Sequence, residues 1–293
     1  MLRRDLLLGG MALPFAGVLA TAQAAEGSTL NVMYAGSLAN LMERGIGLAF
    51  DKSGGDRFQG CAGGSNKLAN EIKERLHRGD VFISANPRVN DSLMGTANGD
   101  WVSWYVTFAQ SPLVIGTLPS SRVAGDLARK PWYEVLQQPG IRIGRTDPKL
   151  DPKGKLTLDL LAKAAQVYRL PGLQQKVLGA DENPAQVFPE ENLIGRLQSG
   201  QLDVGFFYST ETTDLKLSAL TLPPETALSA HYTATVLRDA AKPAGAQRFI
   251  AFLLGAEGRD LMRRHGLDVV TPTVGGDAAK VSPSLVSAIR AAQ

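Results

Sequence analysis

The sequence predicts an α/β fold, and three observations point to it. Short β-rich runs alternate with helix-patterned runs, which is typical of a mostly parallel sheet flanked by helices. The chain has 293 residues, enough for one large domain or two ordinary ones. Its hydrophobic fraction of 44% and charged fraction of 20% are those of a globular protein with a buried core.

The first part of the chain contains three strand-like runs and two helix-like runs. TLNVMYA is β-rich, and SLANLMERGIGLAFDKSG follows it with helical periodicity. After DRFQGCAGG comes SNKLANEIKERLHRG, in which Leu68, Ile72 and Leu76 recur at a spacing of four, as on one face of a helix. DVFISAN is the next predicted strand.

The residue composition changes at residues 101–117, WVSWYVTFAQSPLVIGT, which are rich in aromatic and β-branched residues and have a proline in the middle. We interpret this segment as the crossing into a second lobe. That lobe holds the predicted strands IRIGRT and LDVGFFYS and the predicted helices KLTLDLLAKAAQVYRL and ENLIGRLQSG. The chain then returns with a helix pair and a last strand in AGAQRFIAFLLGAEGRDLMRRHGLDVV.

We therefore predict two lobes joined by two hinge crossings. Lobe I comprises residues 25–106 and 238–293, and lobe II comprises residues 107–237. Each lobe is expected to be a mostly parallel sheet with helices on its faces. Two lobes joined in this way form a cleft that can close by hinging.

Residues 1–24, MLRRDLLLGGMALPFAGVLATAQA, have the features of an export signal. A basic start at Arg3 and Arg4 precedes an apolar stretch and an Ala22-Gln23-Ala24 ending. The paired arginines are compatible with the twin-arginine route as well as with ordinary secretion. Either route predicts cleavage near Ala24 and a periplasmic location.

Charge, cysteine and histidine content exclude several classes of function. The net charge is +3, and basic residues are interleaved with acidic ones, so no nucleic-acid footprint is visible. The single cysteine cannot form an intramolecular disulfide. The three histidines, His77, His231 and His265, lack the spacing of zinc ligands.

Four junctions between a loop and a helix carry residues suited to an anion. Open α/β sheets bind ligands beyond the carboxyl ends of their strands, where helix N-termini present free amide groups and a partial positive charge. Aligned amides and hydroxyls hold an oxyanion without any Arg or Lys. The candidates are Ser37 in YAGSLANL, Ser65 in GGSNKLAN, the amides of Lys153 and Gly154 in DPKGKLTL, and Glu190 and Glu191 in FPEENLIG.

The order of these segments resembles that of the substrate-binding proteins of molybdate and tungstate ABC importers. The segments are LNVMYAGSLANLMERGIGLAF, GGSNKLANEIKERLHRGDVFISAN, IGRTDPKLDPKG, ENLIGRLQSGQLDVGFFYSTET and AFLLGAEGRDLMRRHGLDVV. The similarity covers nearly all of the chain after the signal. The Ser37 loop, the glycine-serine block before the second helix and the GFFY strand are its most specific parts.

The resemblance implies a two-lobed type II periplasmic binding protein fold, no catalysis and no cofactor. It implies a molybdate or tungstate ligand, delivery to a permease in the inner membrane, and a monomer. Carried over residue by residue, the oxyanion would meet the hydroxyls of Ser37 and Ser65, amides near Lys153 and Glu190, and Tyr208 in GFFY. The alternative is another tetrahedral oxyanion, such as sulfate, phosphate or a phosphonate.

The DPKG and PEEN elements resemble the tungstate branch, in which an Asp and a Glu approach the metal of the oxyanion. Asp151 and Glu190 would then be ligands of molybdenum or tungsten, with Glu191 as the alternative to Glu190. A carboxylate beside a dianion is repulsive unless it bonds the central atom. Without an anion, Ser37 and Ser65 would be helix caps, Asp151 a turn former and Glu190 a residue favoured by the helix dipole.

Two further classes of function fit the sequence less well. A hydrolase using Ser65 with Lys67 lacks a Gly-x-Ser-x-Gly elbow and a nearby His or Asp. The ligand-sensing part of a regulator would not carry an export signal, and no helix-turn-helix is visible. The sequence therefore favours a binding protein.

Overall fold

The computed structural model describes residues 28–293. The predicted signal peptide, residues 1–24, and its cleavage site lie outside this range. None of the helices in the described range combines the length and the apolar character needed to span a bilayer.

The described residues contain ten β-strands. In chain order they are β1 (Thr29–Ala35), β2 (Arg57–Gly63), β3 (Val81–Ser84), β4 (Trp104–Thr117), β5 (Ile143–Thr146), β6 (Val187–Phe188), β7 (Val204–Tyr208), β8 (Ser218–Thr221), β9 (Ser229–Val236) and β10 (Asp268–Gly276).

Thirteen α-helical segments accompany the strands in the same range. They are α1 (Ala39–Leu41), α2 (Gly47–Lys52), α3 (Ser65–Lys73), α4 (Pro87–Asp91), α5 (Ala124–Leu127), α6 (Trp132–Val135), α7 (Pro152–Val167), α8 (Leu173–Leu178), α9 (Glu190–Gln198), α10 (Ser209–Asp214), α11 (Pro243–Leu254), α12 (Ala256–Arg264) and α13 (Pro283–Ala291). Short 3-10 turns at Gly36–Leu38, Thr96–Asn98 and Ala278–Lys280 and a π-helical turn at Met42–Ile46 complete the set.

The strands form one continuous sheet with the order β2-β1-β3-β9-β4-β7-β5-β6, and β8 and β10 also pair with β4. β1 is parallel to β2 and β3, and β5 is parallel to β6 and β7. The antiparallel pairs recorded for the described strands all involve β4 or β9. The α/β fold class predicted from the sequence is confirmed, with the antiparallel pairs concentrated in its middle.

β4 belongs to two sections of this sheet. Its residues 104–112 pair with β9 and β10, and its residues 113–117 pair with β7 and β8. We call the strands β2, β1, β3, β9, β10 and the start of β4 the first section, and the end of β4 with β8, β7, β5 and β6 the second section. The predicted crossing at residues 101–117 thus contains a single 14-residue strand. The lobe boundaries stay a prediction; β9, within predicted lobe II, pairs with β3.

Helix α7 begins where capping chemistry predicts. α7 begins at Pro152, three residues before the predicted Lys155, because Asp151 accepts a hydrogen bond from the Lys153 amide at 2.7 Å and a proline suits the first helical position. The predicted helix after β1 is instead a succession of the 3-10 turn, α1, the π turn and α2. Gly47 lies against the Phe58 ring, where an added Cβ would be only 2.5 Å from Cδ1.

The apolar core is continuous across the two sections. Its main cluster joins Val32 of β1 and Ile83 of β3 to Leu160 of α7 and Phe206 of β7, each fully buried. Two smaller clusters pack under α3 and under α9. The two sections are therefore attached by side-chain packing as well as by β4.

We expect Leu160→Ala to lower the free energy of unfolding by about 2–5 kcal/mol, because it leaves a cavity at a fully buried position. Leu48→Ala is the matched control, since this leucine is 54% exposed and its loss should change stability by less than about 0.5 kcal/mol. Urea unfolding followed by circular dichroism measures both. Equal effects of the two substitutions would contradict this assignment of the core.

Candidate functional site

Two loops of the first section face two helix starts of the second. Ser37 lies in the turn after β1, and Ser65 begins α3 just after β2. Opposite them, Asp151 caps α7 and Glu190 begins α9. The parallel pairing of β1 with β2 brings the ends of both strands to one edge of the sheet, which is why two loops distant in sequence lie side by side.

Two glycines allow the sections to approach each other closely. A Cβ on Gly36 would lie 2.5 Å from Cγ of Glu190, and a Cβ on Gly64 would lie 2.6 Å from the carbonyl oxygen of Leu150. Side chains at these positions would force the sections apart. Gly36 and Gly64 are therefore explained by contact with the opposite section.

Hydrogen bonds cross directly between the sections. The Lys67 amide donates to the Leu150 carbonyl at 3.0 Å, and Asn66 Nδ2 donates to the Lys149 carbonyl at 3.0 Å. At the surface, Lys67 Nζ lies 3.4 Å from Oε1 of Glu191. The cleft between the two sections is closed at this edge.

At the centre of the second section lies a buried ammonium group. Nζ of Lys153 donates to Glu190 Oε1 at 2.9 Å and to Glu211 Oε1 and Oε2 at 2.8 and 3.0 Å. Lys153 is fully buried, and the two glutamate side chains are 4% and 2% exposed. Glu211 also accepts a hydrogen bond from the Tyr208 amide at 2.7 Å and so caps α10.

Asp151 lies beside this cluster, and one oxygen of its carboxylate accepts two hydrogen bonds from nearby residues. Its Oδ1 accepts from the Lys153 amide at 2.7 Å and from Thr146 Oγ1 at 3.2 Å. Its Oδ2 lies towards Gly64, where an added Cβ would be 3.2 Å away. One of the amides expected to meet an anion, that of Lys153, is thus already bonded to a carboxylate.

Two tyrosines connect this cluster to the first section. The rings of Tyr208 and Tyr232 are perpendicular, with centroids 6.2 Å apart, and Tyr232 shares a 2.9 Å hydrogen bond with Ser37 Oγ. Lys153 Nζ lies 5.5 Å from the centre of the Tyr208 ring. Ser65 Oγ accepts from the Ala85 amide at 3.1 Å, which leaves its own hydrogen as a donor.

One buried oxygen of the site, the Tyr208 hydroxyl, has no hydrogen-bond partner among residues 28–293. Glu190 Oε2 lies 2.8 Å from Lys153 Nζ, so both oxygens of this carboxylate contact the ammonium. Buried polar atoms without partners are rare and costly.

Burial and mutual repulsion shift the pKa values of the cluster. Burial and the charge of Glu190 raise the pKa of Asp151 to about 7, and burial raises the pKa of Glu211 to about 7 against the opposing effect of Lys153. Burial alone would lower the pKa of Lys153, but the surrounding carboxylates outweigh it and raise that pKa above its usual value. The ammonium therefore stays charged, and two of the carboxyl groups titrate near neutral pH.

The structure brings all six predicted site residues together through a chain of contacts. The chain runs from Ser37 through Tyr232 and Tyr208 to Lys153, Glu190 and Asp151, with Ser65 next to the Gly64 contact. Their role as ligands stays a prediction. Glu191, the alternative to Glu190, lies at the surface with a 53% exposed side chain.

Sequence reasoning missed Glu211, Tyr232 and the side chain of Lys153. The pattern Tyr208-Ser-Thr-Glu211 has the spacing of a capping box, a signal that could have indicated the inward-facing glutamate. Tyr232 has no such signal, because it lies in a strand whose residue pattern is that of an ordinary core strand. In residues 28–293 no group of three or more His, Cys, Asp or Glu side chains is arranged to hold a metal cation.

A cleft of about 420 Å³ lies beside the site at the junction of the sections. Asn66, Asn86 and Arg88 line it from the first section, and Pro152 and Lys155 line it from the second. Its walls do not include the three carboxylates. Arg88 and Lys155 are the basic residues of this lining.

Residues 30–268 match the family model described as bacterial extracellular solute-binding protein. The chain belongs to this family. A mixed α/β sheet in two sections, with polar loops closing on each other, is consistent with a solute-binding protein. Membership also bears on location, since the family is extracellular.

Named relatives of this solute-binding protein carry molybdenum in their descriptions. A Haloferax volcanii protein, described as a molybdenum-binding protein of an ABC transporter, is 30% identical over 227 residues, covering 76% of this chain and 69% of the relative. The molybdate/tungstate-binding protein WtpA of Pyrococcus abyssi is 25% identical over 264 residues, covering 74% and 76%.

Solved structures confirm the type of fold. The periplasmic molybdate-binding protein of Azotobacter vinelandii aligns with a TM-score of 0.62 at 19% identity, covering 81% of this chain and 98% of that one. At this identity the likeness concerns the fold alone. The expectation of a type II periplasmic binding protein fold is confirmed.

We expect the stability of the ligand-free protein to fall as pH rises from 5 to 8, because the folded-state pKa of Asp151 is about 7 and an unfolded Asp titrates near 4. A carboxyl group whose pKa is raised in the folded state stabilises the fold at pH values below its unfolded-state pKa. This stabilisation is lost as pH rises through the folded-state pKa, and it amounts to about 1.4 kcal/mol for each unit by which the two pKa values differ. Asp151→Asn should reduce this fall. Thermal unfolding at several pH values measures it.

Asp159→Asn is the matched control for this measurement. Asp159 lies on the same helix, its side chain is 45% exposed, and it pairs with Lys155. The control should keep the pH slope of the wild-type protein. An unchanged slope in Asp151→Asn would contradict the assignment of this carboxyl group.

Proposed function

We propose that this protein captures molybdate or tungstate outside the cytoplasm and delivers it to the permease of an ABC importer. The observation that carries the proposal is the buried Tyr208 hydroxyl at the closed junction of the two sections, which has no hydrogen-bond partner among residues 28–293. A guest that accepts a hydrogen bond from this hydroxyl would satisfy it. The names of the relatives supply the class of guest.

The mixture of donors and carboxylates suits an oxyanion whose central atom takes additional oxygen ligands. Ser37, Ser65 and Tyr208 can donate hydrogen bonds to anionic oxygens. Asp151 and Glu190 would repel a dianion unless they bond its centre, as molybdenum and tungsten allow. Sulfur and phosphorus do not readily expand in this way, so the carboxylates disfavour sulfate and phosphate.

The rest of the proposal is supported by family membership and by the sequence expectations. A solute-binding protein hands its ligand over unchanged, so we assign no catalysis and no cofactor. Its partners are the oxyanion and an inner-membrane permease, and the protein acts as a monomer in the periplasm after cleavage near Ala24. Binding draws the predicted lobes together, because the ligand contacts come from both sections.

Isothermal titration of the chain from residue 25 onward with molybdate, tungstate and sulfate tests the proposal. We expect molybdate or tungstate to bind at micromolar concentration or tighter and sulfate to bind more weakly. Failure of both metal oxyanions to bind would refute the function. Tighter binding of sulfate would assign the protein to another oxyanion.

We expect Tyr208→Phe to weaken binding of the preferred oxyanion about 10- to 100-fold, the effect of losing one hydrogen bond to a charged group, about 1.5–3 kcal/mol. The same change should not destabilise the ligand-free protein, because the hydroxyl has no partner in the described residues. Titration and thermal unfolding measure the two effects.

Tyr133→Phe is the control for this substitution. Tyr133 lies on α6, packed against Tyr168 with ring centroids 4.8 Å apart, away from the site. It should bind the oxyanion as the wild-type protein does. Wild-type affinity in Tyr208→Phe would show that its hydroxyl does not face the ligand.

A further inference from the structure

We infer that Lys153 is a positioning residue that fixes the Glu190 carboxylate so that this group is presented to the central atom of the oxyanion. This inference rests on the proposed function. It assigns a role to a side chain for which the sequence indicated only a backbone amide. Lys153 acts through Glu190 and does not itself touch the ligand.

The geometry of the ammonium group supports this role. Its Nζ lies 2.8–3.0 Å from four carboxylate oxygens, two of Glu190 and two of Glu211. An ammonium has three donors, so it is saturated by the protein and has none left for an anion. Both oxygens of Glu190 are held against the ammonium, which fixes the orientation of this carboxylate.

The backbone and the second glutamate keep Lys153 itself in place. Lys153 is the second residue of α7, and its amide is bonded to Asp151 while its carbonyl accepts from Thr157 Oγ1 at 2.9 Å. Glu211 is fixed in turn by the Tyr208 amide. A ligand group held by a fixed partner loses little conformational freedom on binding, which is the advantage of preorganisation.

Neighbouring lysines show that this burial is particular to one position. Lys149 and Lys155 flank Lys153 in sequence, but their side chains are 72% and 59% exposed. Lys153 is fully buried. Lys155 therefore offers a matched control with the same charge, on the same helix, at the surface.

The test compares Lys153→Met with Lys155→Met. Tungstate affinity is measured by titration, and the number of oxygen atoms around bound tungsten is measured by X-ray absorption at the tungsten edge. The wild-type protein and Lys155→Met should both show more than four oxygens. Lys153→Met should bind tungstate at least about tenfold more weakly and show fewer oxygens around tungsten than the wild-type protein, because Glu190 no longer holds its orientation.

A second variant keeps the test valid if Lys153→Met does not fold. Lys153→Met with Glu211→Gln removes one charge of each sign, and the amide side chain introduced by the second substitution retains an oxygen that can accept from the Tyr208 amide. Glu190 still lacks its donor in this double variant. We expect the same loss of affinity and the same reduced number of oxygens around tungsten.

The outcomes separate this inference from the proposed function. No binding of molybdate or tungstate by the wild-type protein would refute both. Binding of four-coordinate tungsten by the wild-type protein would keep the function and refute the inference. Weaker binding in Lys153→Met with an unchanged oxygen count would show a purely structural lysine, and unchanged affinity would also refute the inference.

Discussion

The bonds from Lys153 to Glu190 and Glu211 fix the arrangement of three helix starts in the second section. α7 carries the ammonium, α9 begins with one carboxylate, and α10 is capped by the other. A buried charge is tolerated only when it is paired and hydrogen-bonded, so none of the three helices can shift independently. The positions of Asp151 and Tyr208 depend on this cluster, because they lie at the starts of α7 and α10.

The same arrangement changes how an anion would be held. Helix N-termini usually offer free amides, but here carboxylates already bind the Lys153 and Tyr208 amides. An entering oxyanion therefore meets oxygens as well as donors. In the proposed function, bonding of the Asp151 and Glu190 carboxylates to the central atom disfavours anions that cannot bond them. The hydroxyls of Ser37, Ser65 and Tyr208 supply the remaining contacts.

Much of the fold and of the membership of the site could be predicted, because both follow from local rules. Strand β1 was predicted with its observed ends, and loops after parallel strands necessarily converge at one edge, which places Ser37 near Ser65. The direction of a long side chain is a tertiary property. Three lysines near the start of α7 look alike in sequence, and only packing against Glu190 and Glu211 distinguishes Lys153.

The position of strand β4 within the sheet determines how much of its edge is exposed. It is paired on both sides along most of its length, but at Ser111 and Pro112, where it passes between the sections, its recorded partner is β9 alone. Relative movement of the sections has to bend this strand, since both sections share it. Because neighbouring strands cover most of both edges, little of the β4 backbone is available for another chain to pair with.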